Sequence, residues 1–331
     1  AMFYHLLYPL SEYWSVLNVF KYITFRSSYA TVSALLICFI FGNWVINKLE
    51  KMQIGETIDS DGPEHHHEKS GTPTMGGVLV LAAIIIPTLL WADLTNRYIQ
   101  LALVGTLWMG TIGFIDDYLK VVKKRPKGMI GRFKLVGQVS YGLLLGSVIV
   151  FGGDGGGANL TSTSVPFFKD VLINWTWWLY IPLVIFVVTG TSNAVNLSDG
   201  LDGLAIGLSS LAFAGFAVIA YLSGHSVFAD YLNLLYLPQV GELTVYCAAV
   251  VGAGIGFLWF NAHPARIFMG DTGSLALGGA LGTMAIMVKK EFLLVVIGGI
   301  FVAEALSVMM QVAWFKRSGG RRLFRMAPLH H

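Results

Sequence analysis

The feature that most constrains this chain is a series of long apolar runs. Each run is close to the roughly 20 residues that a helix needs to cross the hydrocarbon core of a bilayer. Only 12% of the 331 residues are charged, whereas soluble domains carry about 25%. We therefore predict an all-α polytopic membrane protein in which residues 1–331 form one membrane domain. The nine predicted spans are Tyr29–Ile46, Thr74–Leu90, Tyr98–Ile115, Leu135–Phe151, Leu172–Val188, Leu204–Leu222, Leu243–Phe260, Gly273–Val288 and Phe292–Phe315.

Several features are interpreted as serving the helix bundle rather than chemistry. The mixed aromatic and polar segment Met2–Arg26 is predicted to lie at the membrane interface. Cys38 and Cys247 lie far apart within apolar runs, so neither a disulfide framework nor a zinc site is predicted. The GAGIG sequence at Gly252–Gly256 is similar to a dinucleotide-binding fingerprint, but no strand precedes it, and helix packing is the interpretation.

Positive charge is distributed unevenly between alternate loops. Most of the 22 Lys and Arg residues lie in the loops that follow the odd-numbered runs, and the densest group is Lys120–Lys134. Cytoplasmic loops of membrane proteins carry an excess of Lys and Arg. We therefore predict that these loops are cytoplasmic and that the N-terminus is periplasmic.

Every dense polar motif falls on the same predicted side of the membrane. Since segments that are distant in sequence can meet on one face, a single site at the cytoplasmic surface is predicted. A channel would instead place polar residues along a path through the bilayer, and only Glu304 lies clearly within a span; we interpret it as hydrogen-bonded inside the bundle. The five motifs are Lys69–Gly77 (KSGTPTMGG), Phe114–Lys120 (FIDDYLK), Asn193–Gly203, Asn261–Gly273 and Ala327–His331 (APLHH).

The stretch Thr191–Ala205 is the most polar segment between two apolar runs. It contains Asn193, Asn196, Asp199 and Asp202 but no Lys or Arg. If the following helix includes both Asp residues, their spacing of three places them on one face. Carboxylates beside a bilayer are usually kept for an ion or a polar substrate, although capping of that helix by Ser198 or Asp199 is an alternative role.

The acidic residues of the other motifs indicate a divalent cation. Asp116 and Asp117 are adjacent, so on a helix their side chains diverge by about 100° and are suited to different tasks. Together with Asp271, and with few His or Cys nearby, they favour Mg²⁺, which binds carboxylate and phosphate oxygens. Lys69 and Lys120 supply positive charge for phosphates, while an ion pair between Asp116 and Lys120 is the structural alternative.

Three further groups have open roles at this stage. His330 and His331 follow a basic segment and are predicted to contact phosphate. Phe268 lies in an otherwise polar loop, where it either stacks on a base or packs against the membrane. His65–His67 could bind a metal, but the charged, Gly- and Pro-flanked loop around it favours a solvated segment.

Five motifs in order resemble those of the phospho-N-acetylmuramoyl-pentapeptide transferases, a family within the polyprenyl-phosphate N-acetylhexosamine-1-phosphate transferase superfamily. The resemblance extends over essentially the whole chain, and TPTMGG and the terminal APLHH favour the muramoyl branch. The motifs are TPTMGG (Thr72–Gly77), GFIDDYLK (Gly113–Lys120), NAVNLSDGLDGLA (Asn193–Ala205), FLWFNAHPARIFMGDTGS (Phe257–Ser274) and APLHH (Ala327–His331).

The resemblance implies a phosphotransferase of the bacterial inner (cytoplasmic) membrane. Its expected reaction moves phospho-MurNAc-pentapeptide from UDP-MurNAc-pentapeptide to undecaprenyl phosphate, which gives lipid I and UMP in peptidoglycan biosynthesis. Mg²⁺ is the expected cofactor, a homodimer is the expected assembly, and no nucleic acid is expected as a partner. Family members continue beyond the position of His331 with a third His, an acidic residue and a tenth span.

The resemblance also implies roles for individual residues. Asp116, Asp117 and Asp271 match the essential acidic residues, with Asp271 and Asp117 as expected metal ligands. Lys120, Asn196, His330 and His331 match residues around the catalytic centre and the diphosphate, and Phe268 is expected to stack on uracil. The residues expected to bind the substrate are Lys69, Asn193, Asn196, Asp199, Gly200, Leu201, Asp202, Asn261, Phe268 and Gln311.

Alternatives remain for both the mechanism and the function. Direct attack by the lipid phosphate, with Asp116 as base, competes with a covalent phospho-aspartyl intermediate on Asp117. A sister enzyme that transfers GlcNAc-1-phosphate from UDP-GlcNAc to the same lipid is the nearest alternative. A polyprenyl-lipid flippase and a membrane scaffold are alternatives from other classes.

Overall fold

The fold is an assembly of helices with one short hairpin. The computed structural model describes residues 2–52, 72–125, 128–152, 161–168, 171–324 and 326–329. In chain order the helices of these ranges are α1 (Met2–Leu7), α2 (Ile23–Lys51), α3 (Gly77–Trp91), α4 (Arg97–Val121), α5 (Gly131–Phe151), α6 (Trp177–Leu197), α7 (Leu204–Ser223), α8 (Ser226–Tyr231), α9 (Leu243–Asn261), α10 (Gly270–Met287), α11 (Glu291–Ile297) and α12 (Gly299–Arg317).

Seven of the described helices are long and apolar enough to cross a membrane, which fits the predicted polytopic membrane protein. They are α2, α4, α5, α6, α7, α9 and α12. Two other predicted spans also form helices: α3 has 15 residues, and α10 has 18 and is buried from Thr272 to Met287. Helix α10 packs against α4 and α6 and forms the centre of the bundle. The count of nine spans stays a prediction.

Two predicted spans are corrected by the structure. Residues Leu172–Asn174 of the run Leu172–Val188 form a strand, β2, which pairs antiparallel with β1 (Ser162–Ser164); helix α6 begins only at Trp177. The run Phe292–Phe315 is divided at Gly298, between α11 and α12. An apolar run has similar composition whether it forms a strand or a buried helix, so composition alone did not reveal β2.

The N-terminal segment leads into α2 and brings a buried charge with it. Short helical pieces extend to Lys21, namely α1 and the 3₁₀ turns Pro9–Glu12 and Ser15–Lys21. Arg26, the last residue of the segment predicted at the interface, lies within α2 and is buried. Its guanidinium donates to both carboxylate oxygens of Glu242, and a buried charge of this kind requires such a partner.

The GAGIG sequence serves the contact between α9 and α2, which confirms helix packing as its role. A Cβ atom on Gly252 would lie 2.8 Å from Cα of Thr31, and one on Gly256 would lie 2.7 Å from Cβ of Cys38. Such contacts are shorter than van der Waals distances. The glycines therefore allow the two helix backbones to approach, as small residues do in membrane bundles.

We predict that Gly252→Val lowers the thermal unfolding temperature in detergent, because its side chain would collide with the backbone of α2. Overpacking a filled interior costs about 1–3 kcal/mol. Gly207→Ala is the matched control, since an added Cβ at Gly207 meets no heavy atom within 4 Å. Equal unfolding temperatures for the two variants would contradict this account of the α2–α9 contact.

Candidate active site

Four helix ends bring polar side chains together at one end of the bundle. The C-terminal part of α4 carries Asp116 and Asp117, and the first turn of α10 carries Asp271. The first turn of α5 supplies Lys134, and the last turn of α6 supplies Asn196. The contacts described below join these side chains directly. The prediction that the motifs around the three carboxylates converge is therefore confirmed for the described residues.

The three carboxylates form a compact cluster that fits a divalent cation. Asp116, Asp117 and Asp271 each offer an oxygen, and these oxygens all lie within 4.8 Å of one another. Oxygens bound to one Mg²⁺ at about 2.1 Å can lie about 4.2 Å apart, so only small side-chain movements are required. Oxygen donors such as these carboxylates, rather than His or Cys, suit Mg²⁺.

Asp117 holds the N-terminus of α10. Its Oδ1 accepts a hydrogen bond from the Asp271 amide at 3.1 Å, and its Oδ2 accepts from the Thr272 amide at 2.8 Å and from Thr272 Oγ1 at 2.6 Å. The first amides of a helix have no partner within the helix, and the positive end of its dipole favours a carboxylate. Gly270 has φ +73°, which turns the chain into this helix.

Asp116 faces two ammonium groups. Its Oδ2 lies 2.6 Å from Nζ of Lys120 and 2.7 Å from Nζ of Lys134, and its Oδ1 accepts from the Met129 amide at 2.6 Å. The same ammonium groups reach Oδ2 of Asp271 at 3.1 Å and 2.6 Å. The predicted pair of Asp116 and Lys120 is confirmed as one part of this larger cluster.

Lys134 is the site residue that sequence reasoning missed. It was assigned only to the basic loop, yet its ammonium bridges Asp116 and Asp271. A signal was present in the sequence, because Lys134 directly precedes the predicted apolar span Leu135–Phe151 and so lies near the start of its helix. A cation in the first turn of a helix is disfavoured by the helix dipole, so its position there indicates a compensating anion.

The two predicted Asn residues of α6 have different partners. Asn196 Nδ2 donates to Asp271 Oδ1 at 2.9 Å and lies 2.8 Å from Ser274 Oγ, which places Asn196 in the carboxylate cluster. Asn193 Nδ2 donates to Gln138 Oε1 at 2.9 Å, within a buried network between α5 and α6. Of these two Asn residues, only Asn196 contacts a carboxylate of the cluster in the described structure.

The TPTMGG motif supports the loop that precedes Asp271. The Phe268 amide donates to the Pro73 carbonyl at 2.8 Å, and the Gly76 amide donates back to the Phe268 carbonyl at 2.9 Å. The Gly77 amide donates to the Met269 carbonyl at 2.8 Å. This short ladder fixes the backbone of Phe268, whose side chain is half-buried.

Asp199 and Asp202 lie in a turn and not on a helix face, which corrects the sequence prediction. Helix α7 begins at Leu204, and its N-cap position is occupied by Gly203 with φ +76°, not by Ser198 or Asp199. Asp202 Oδ2 lies 3.0 Å from Nδ1 of His263 and accepts from the Ala265 amide at 3.2 Å. Asp202 thereby joins this turn to the loop after α9.

Asn261 links the same two segments. Its Oδ1 accepts from the Gly203 amide at 3.1 Å, and its Nδ2 donates to the Ile267 carbonyl at 2.8 Å. Because the side chain is buried and both polar atoms have backbone partners, Asn261 holds the loop that carries Phe268.

The remaining predicted residues are placed as follows. Gly200 and Leu201 lie in the turn before α7, where the side chain of Leu201 is 39% exposed. Gln311 of α12 accepts hydrogen bonds from the amides of Leu323 and Phe324. Three predicted site residues and the His-rich loop lie outside the described residues, namely Lys69, His330, His331 and His65–His67.

Comparisons with known proteins agree with this architecture. Residues 99–289 match the model of glycosyl transferase family 4, and residues 69–81 match phospho-N-acetylmuramoyl-pentapeptide-transferase signature 1. The phospho-N-acetylmuramoyl-pentapeptide-transferase of Desulfatibacillum aliphaticivorans is 53% identical over 330 residues, which is 100% of this chain and 91% of that protein. The same-named proteins of Syntrophus aciditrophicus and Pelobacter propionicus are 52% and 54% identical, with 100% of this chain and 90% of each relative covered.

These identities extend over the full chain and over nearly the full length of each relative. The signature covers the TPTMGG motif, and the longer family match contains Asp116, Asp117 and Asp271. The chain therefore belongs to the phospho-N-acetylmuramoyl-pentapeptide-transferase family.

Proposed function

We propose that this protein transfers phospho-MurNAc-pentapeptide from UDP-MurNAc-pentapeptide to undecaprenyl phosphate, forming lipid I and UMP with Mg²⁺ as cofactor. The observation that supports this most directly is the cluster of Asp116, Asp271, Lys120 and Lys134 at the end of a membrane-type bundle. Its carboxylates can bind a cation, and its two ammonium groups can bind phosphate oxygens. The identity of the two substrates is inferred from the family to which the chain belongs.

The location of the cluster suits one water-soluble and one lipid substrate. It lies where α4 ends and where α5 and α10 begin, so the donor can approach from water while the acceptor stays in the bilayer. By the distribution of Lys and Arg, we place this end at the cytoplasmic face of the bacterial inner membrane, with the N-terminus in the periplasm.

The two lysines would neutralise phosphate charge. In the described structure they pair with carboxylates, and Lys120 and Lys134 remain 38% and 20% exposed. Phosphate oxygens that enter the cluster can therefore replace a carboxylate as partner. Phosphoryl transfer depends mainly on positioning and on stabilisation of the charge that develops on phosphate oxygens.

Asp271 and Asp117 would hold Mg²⁺, which when bound supplies charge neutralisation for the diphosphate. The oxygens of Asp271 contact the side chains of Asn196, Lys120 and Lys134, and each of these can turn to a phosphate oxygen instead. An ionised carboxylate offers about four lone-pair sites, and Asp117 uses three of them for α10. One site remains for a cation, so Asp117 can support α10 and also contribute a ligand.

The proposed reaction is direct attack by the lipid phosphate. Its oxygen forms a bond to the phosphorus that carries the sugar, and the bond from that phosphorus to the UMP oxygen breaks. A phosphate monoester has a second pKa of about 6, so the nucleophile is largely ionised at neutral pH. Asp116 accepts the proton of the fraction that is still protonated, and UMP leaves with the bonding electron pair.

A covalent intermediate on Asp117 is the rival mechanism. The three hydrogen bonds that Asp117 accepts, and its 4% exposure, favour a positioning role over attack on phosphorus. Exchange of labelled UMP into the donor in the absence of lipid would support the covalent route.

The nucleotide side of the site is proposed from the family motifs. Phe268 would stack on uracil, and its backbone is held for this by the TPTMGG ladder and by Asn261. His330 and His331 are proposed near the diphosphate, and a homodimer is proposed as the assembly. The other residues proposed for the donor are Lys69, Asn193, Asn196, Asp199, Gly200, Leu201, Asp202 and Gln311.

The alternatives lose support in different ways. Transfer of GlcNAc-1-phosphate would use the same cluster, but the relatives described above are named for the muramoyl donor. A flippase has no need for three clustered carboxylates at one end of the bundle. A scaffold would not require any of these side chains for its activity.

We predict that the purified protein converts undecaprenyl phosphate to lipid I with UDP-MurNAc-pentapeptide and Mg²⁺, and that EDTA abolishes this conversion. The measurement is radiolabelled product formation in detergent, with UDP-GlcNAc as the comparison donor. Product from UDP-GlcNAc alone would assign the chain to the sister activity. Transfer that EDTA leaves unchanged would contradict the proposed role of the carboxylates.

We predict that Lys134→Met lowers kcat for transfer by roughly 100-fold, as loss of one preorganised charge-stabilising group does in other enzymes. Lys123→Met is the matched control, because Lys123 belongs to the same basic region and is exposed. Its kcat should stay close to that of the unmodified protein. Equal effects of both substitutions would show that Lys134 acts only through general positive charge.

A further inference from the structure

The three helices that meet at the carboxylate cluster are joined a second time, one helical turn farther into the bundle. Helices α5, α6 and α10 each contribute one residue to the cluster and one residue four positions deeper. These pairs are Lys134 and Gln138, Asn196 and Ser192, and Asp271 and Leu275. Residues four apart share a helix face and lie about 6 Å apart along the axis. The deeper residues, Gln138, Ser192 and Leu275, form what we call the inner layer.

Gln138 is the centre of the inner layer. Its Nε2 donates to Ser192 Oγ at 3.3 Å, and its Oε1 accepts from Asn193 Nδ2 at 2.9 Å. Ser192 Oγ donates in turn to the Leu275 carbonyl at 3.1 Å. Gln138 is 1% exposed and Ser192 is fully buried, so solvent does not compete for these groups. The hydrogen bonds therefore form one chain that leads from α5 through α6 to α10.

Helix α5 is placed relative to α10 mainly by way of α6. It packs extensively against α6, and α6 packs against α10, whereas α5 and α10 have no comparable contact in the described structure. Tyr141 OH lies 3.1 Å from Thr283 Oγ1 of α10, but Tyr141 is about 10 Å along α5 from Lys134. Apart from the bonds of Lys134 itself, those of Gln138 are thus the nearest described hydrogen bonds that tie α5 to α6.

We propose that Gln138 is a positioning residue that places the ammonium group of Lys134 between Asp116 and Asp271. A lysine side chain is flexible, so the position of its ammonium depends on how firmly its helix is held. Groups that stabilise charge must be kept within about 0.5 Å of the productive geometry by neighbours that are themselves fixed. This inference rests on the proposed function for its effect on rate, whereas the contacts of the inner layer do not.

Two substitutions interrupt the inner layer at different points. Gln138→Met keeps an unbranched side chain of similar length and removes both hydrogen bonds of the amide. Ser192→Ala removes the links to Gln138 Nε2 and to the Leu275 carbonyl, but leaves the bond between Gln138 and Asn193 in place. Because Asn193 is proposed to bind the donor, Ser192→Ala isolates the effect on α5.

Gln100→Met is the matched control for the chemical change. Gln100 is exposed on α4, and its side chain donates to the Leu94 carbonyl. It lies about 24 Å along that helix from Asp116, so this substitution should not disturb the cluster. A thermal unfolding temperature in detergent checks that each variant is folded.

The tie between α5 and α6 is measured by hydrogen–deuterium exchange, which requires no activity. We expect Gln138→Met and Ser192→Ala to accelerate exchange in a peptide of residues 131–141, the N-terminal half of α5. Gln100→Met should leave the exchange of this peptide unchanged. Unchanged exchange in both inner-layer variants would overturn the proposal.

Transfer kinetics test the consequence for catalysis. Since misplacement by about 1 Å can cost roughly 100-fold in rate, we expect Ser192→Ala to lower kcat about 10-fold and to leave the KM for the donor unchanged. Gln138→Met should lower kcat by at least as much, and Gln100→Met should keep the kcat of the unmodified protein. A purely structural role would reduce the amount of folded protein and leave kcat per folded molecule intact, which would overturn the proposal.

A double-mutant cycle with Lys134→Met identifies the residue through which Gln138 acts. Once the ammonium group is absent, the inner layer has no lysine left to place. We therefore expect Ser192→Ala to change kcat by less than about 2-fold in the Lys134→Met background, because residues that act through one another are not additive. A further loss of about 10-fold in that background would show independent effects, and the proposal would be wrong.

The unmodified protein separates this inference from the proposed function. If it forms no lipid I under the same conditions, the proposed function fails, and the exchange data still decide whether the inner layer holds α5. If it is active and Ser192→Ala is equally active, only the inference about Gln138 fails.

Discussion

The hydrogen bonds between Asp117 and the first turn of α10 determine the arrangement of the rest of the site. Helix α10 is buried from Thr272 to Met287, so its first amides have little access to water, and a buried amide without a partner costs free energy comparable to a lost hydrogen bond. Asp117 provides the acceptors and an anion at the positive end of the helix dipole. Asp271, the second residue of α10, is thereby fixed beside Asp116.

This arrangement explains why two adjacent aspartates are useful. On α4 their side chains diverge by about 100°, and the structure gives each a separate direction. Asp117 meets α10, while Asp116 meets Lys120 of its own helix and Lys134 of α5. The sequence prediction that the pair divides its tasks is supported by these contacts, although the chemical roles stay proposals.

The sequence predicted the convergence of the motifs better than their local structure. Counting charges on alternate loops predicts that the motifs share one side of the membrane, and contacts among the TPTMGG, aspartate and Asn196 segments confirm that these motifs meet. Lys134 was missed because topology alone explained the basic region in which it lies. The spacing of Asp199 and Asp202 allows a shared helix face only if the following helix includes both, whereas Gly203 with positive φ precedes the first turn of α7 and leaves both outside it. Spacing and composition do not report such backbone angles.

Exposure of the cation distinguishes the Arg26–Glu242 pair of the bundle from the ion pairs of the site. Arg26 and Glu242 are 3% and 9% exposed at the side chain, and Glu242 also accepts from the Asp93 amide at 2.6 Å, so this pair is closed to substrates. Asp271 and Lys120 are 16% and 38% exposed. A pair that solvent can reach is also one in which a phosphate can take the place of the carboxylate.

The pairing of the lysines with carboxylates follows from the same physical requirement. Two ammonium groups near the membrane need anions at all times, because an unpaired charge in a low-dielectric environment is costly. The carboxylates of Asp116 and Asp271 supply these anions when no substrate is present. Three carboxylates and two ammonium groups leave one negative charge, which favours the entry of a divalent cation together with a phosphate. The carboxylates that hold the two ammonium groups thus also arrange the cluster in advance for a charged substrate.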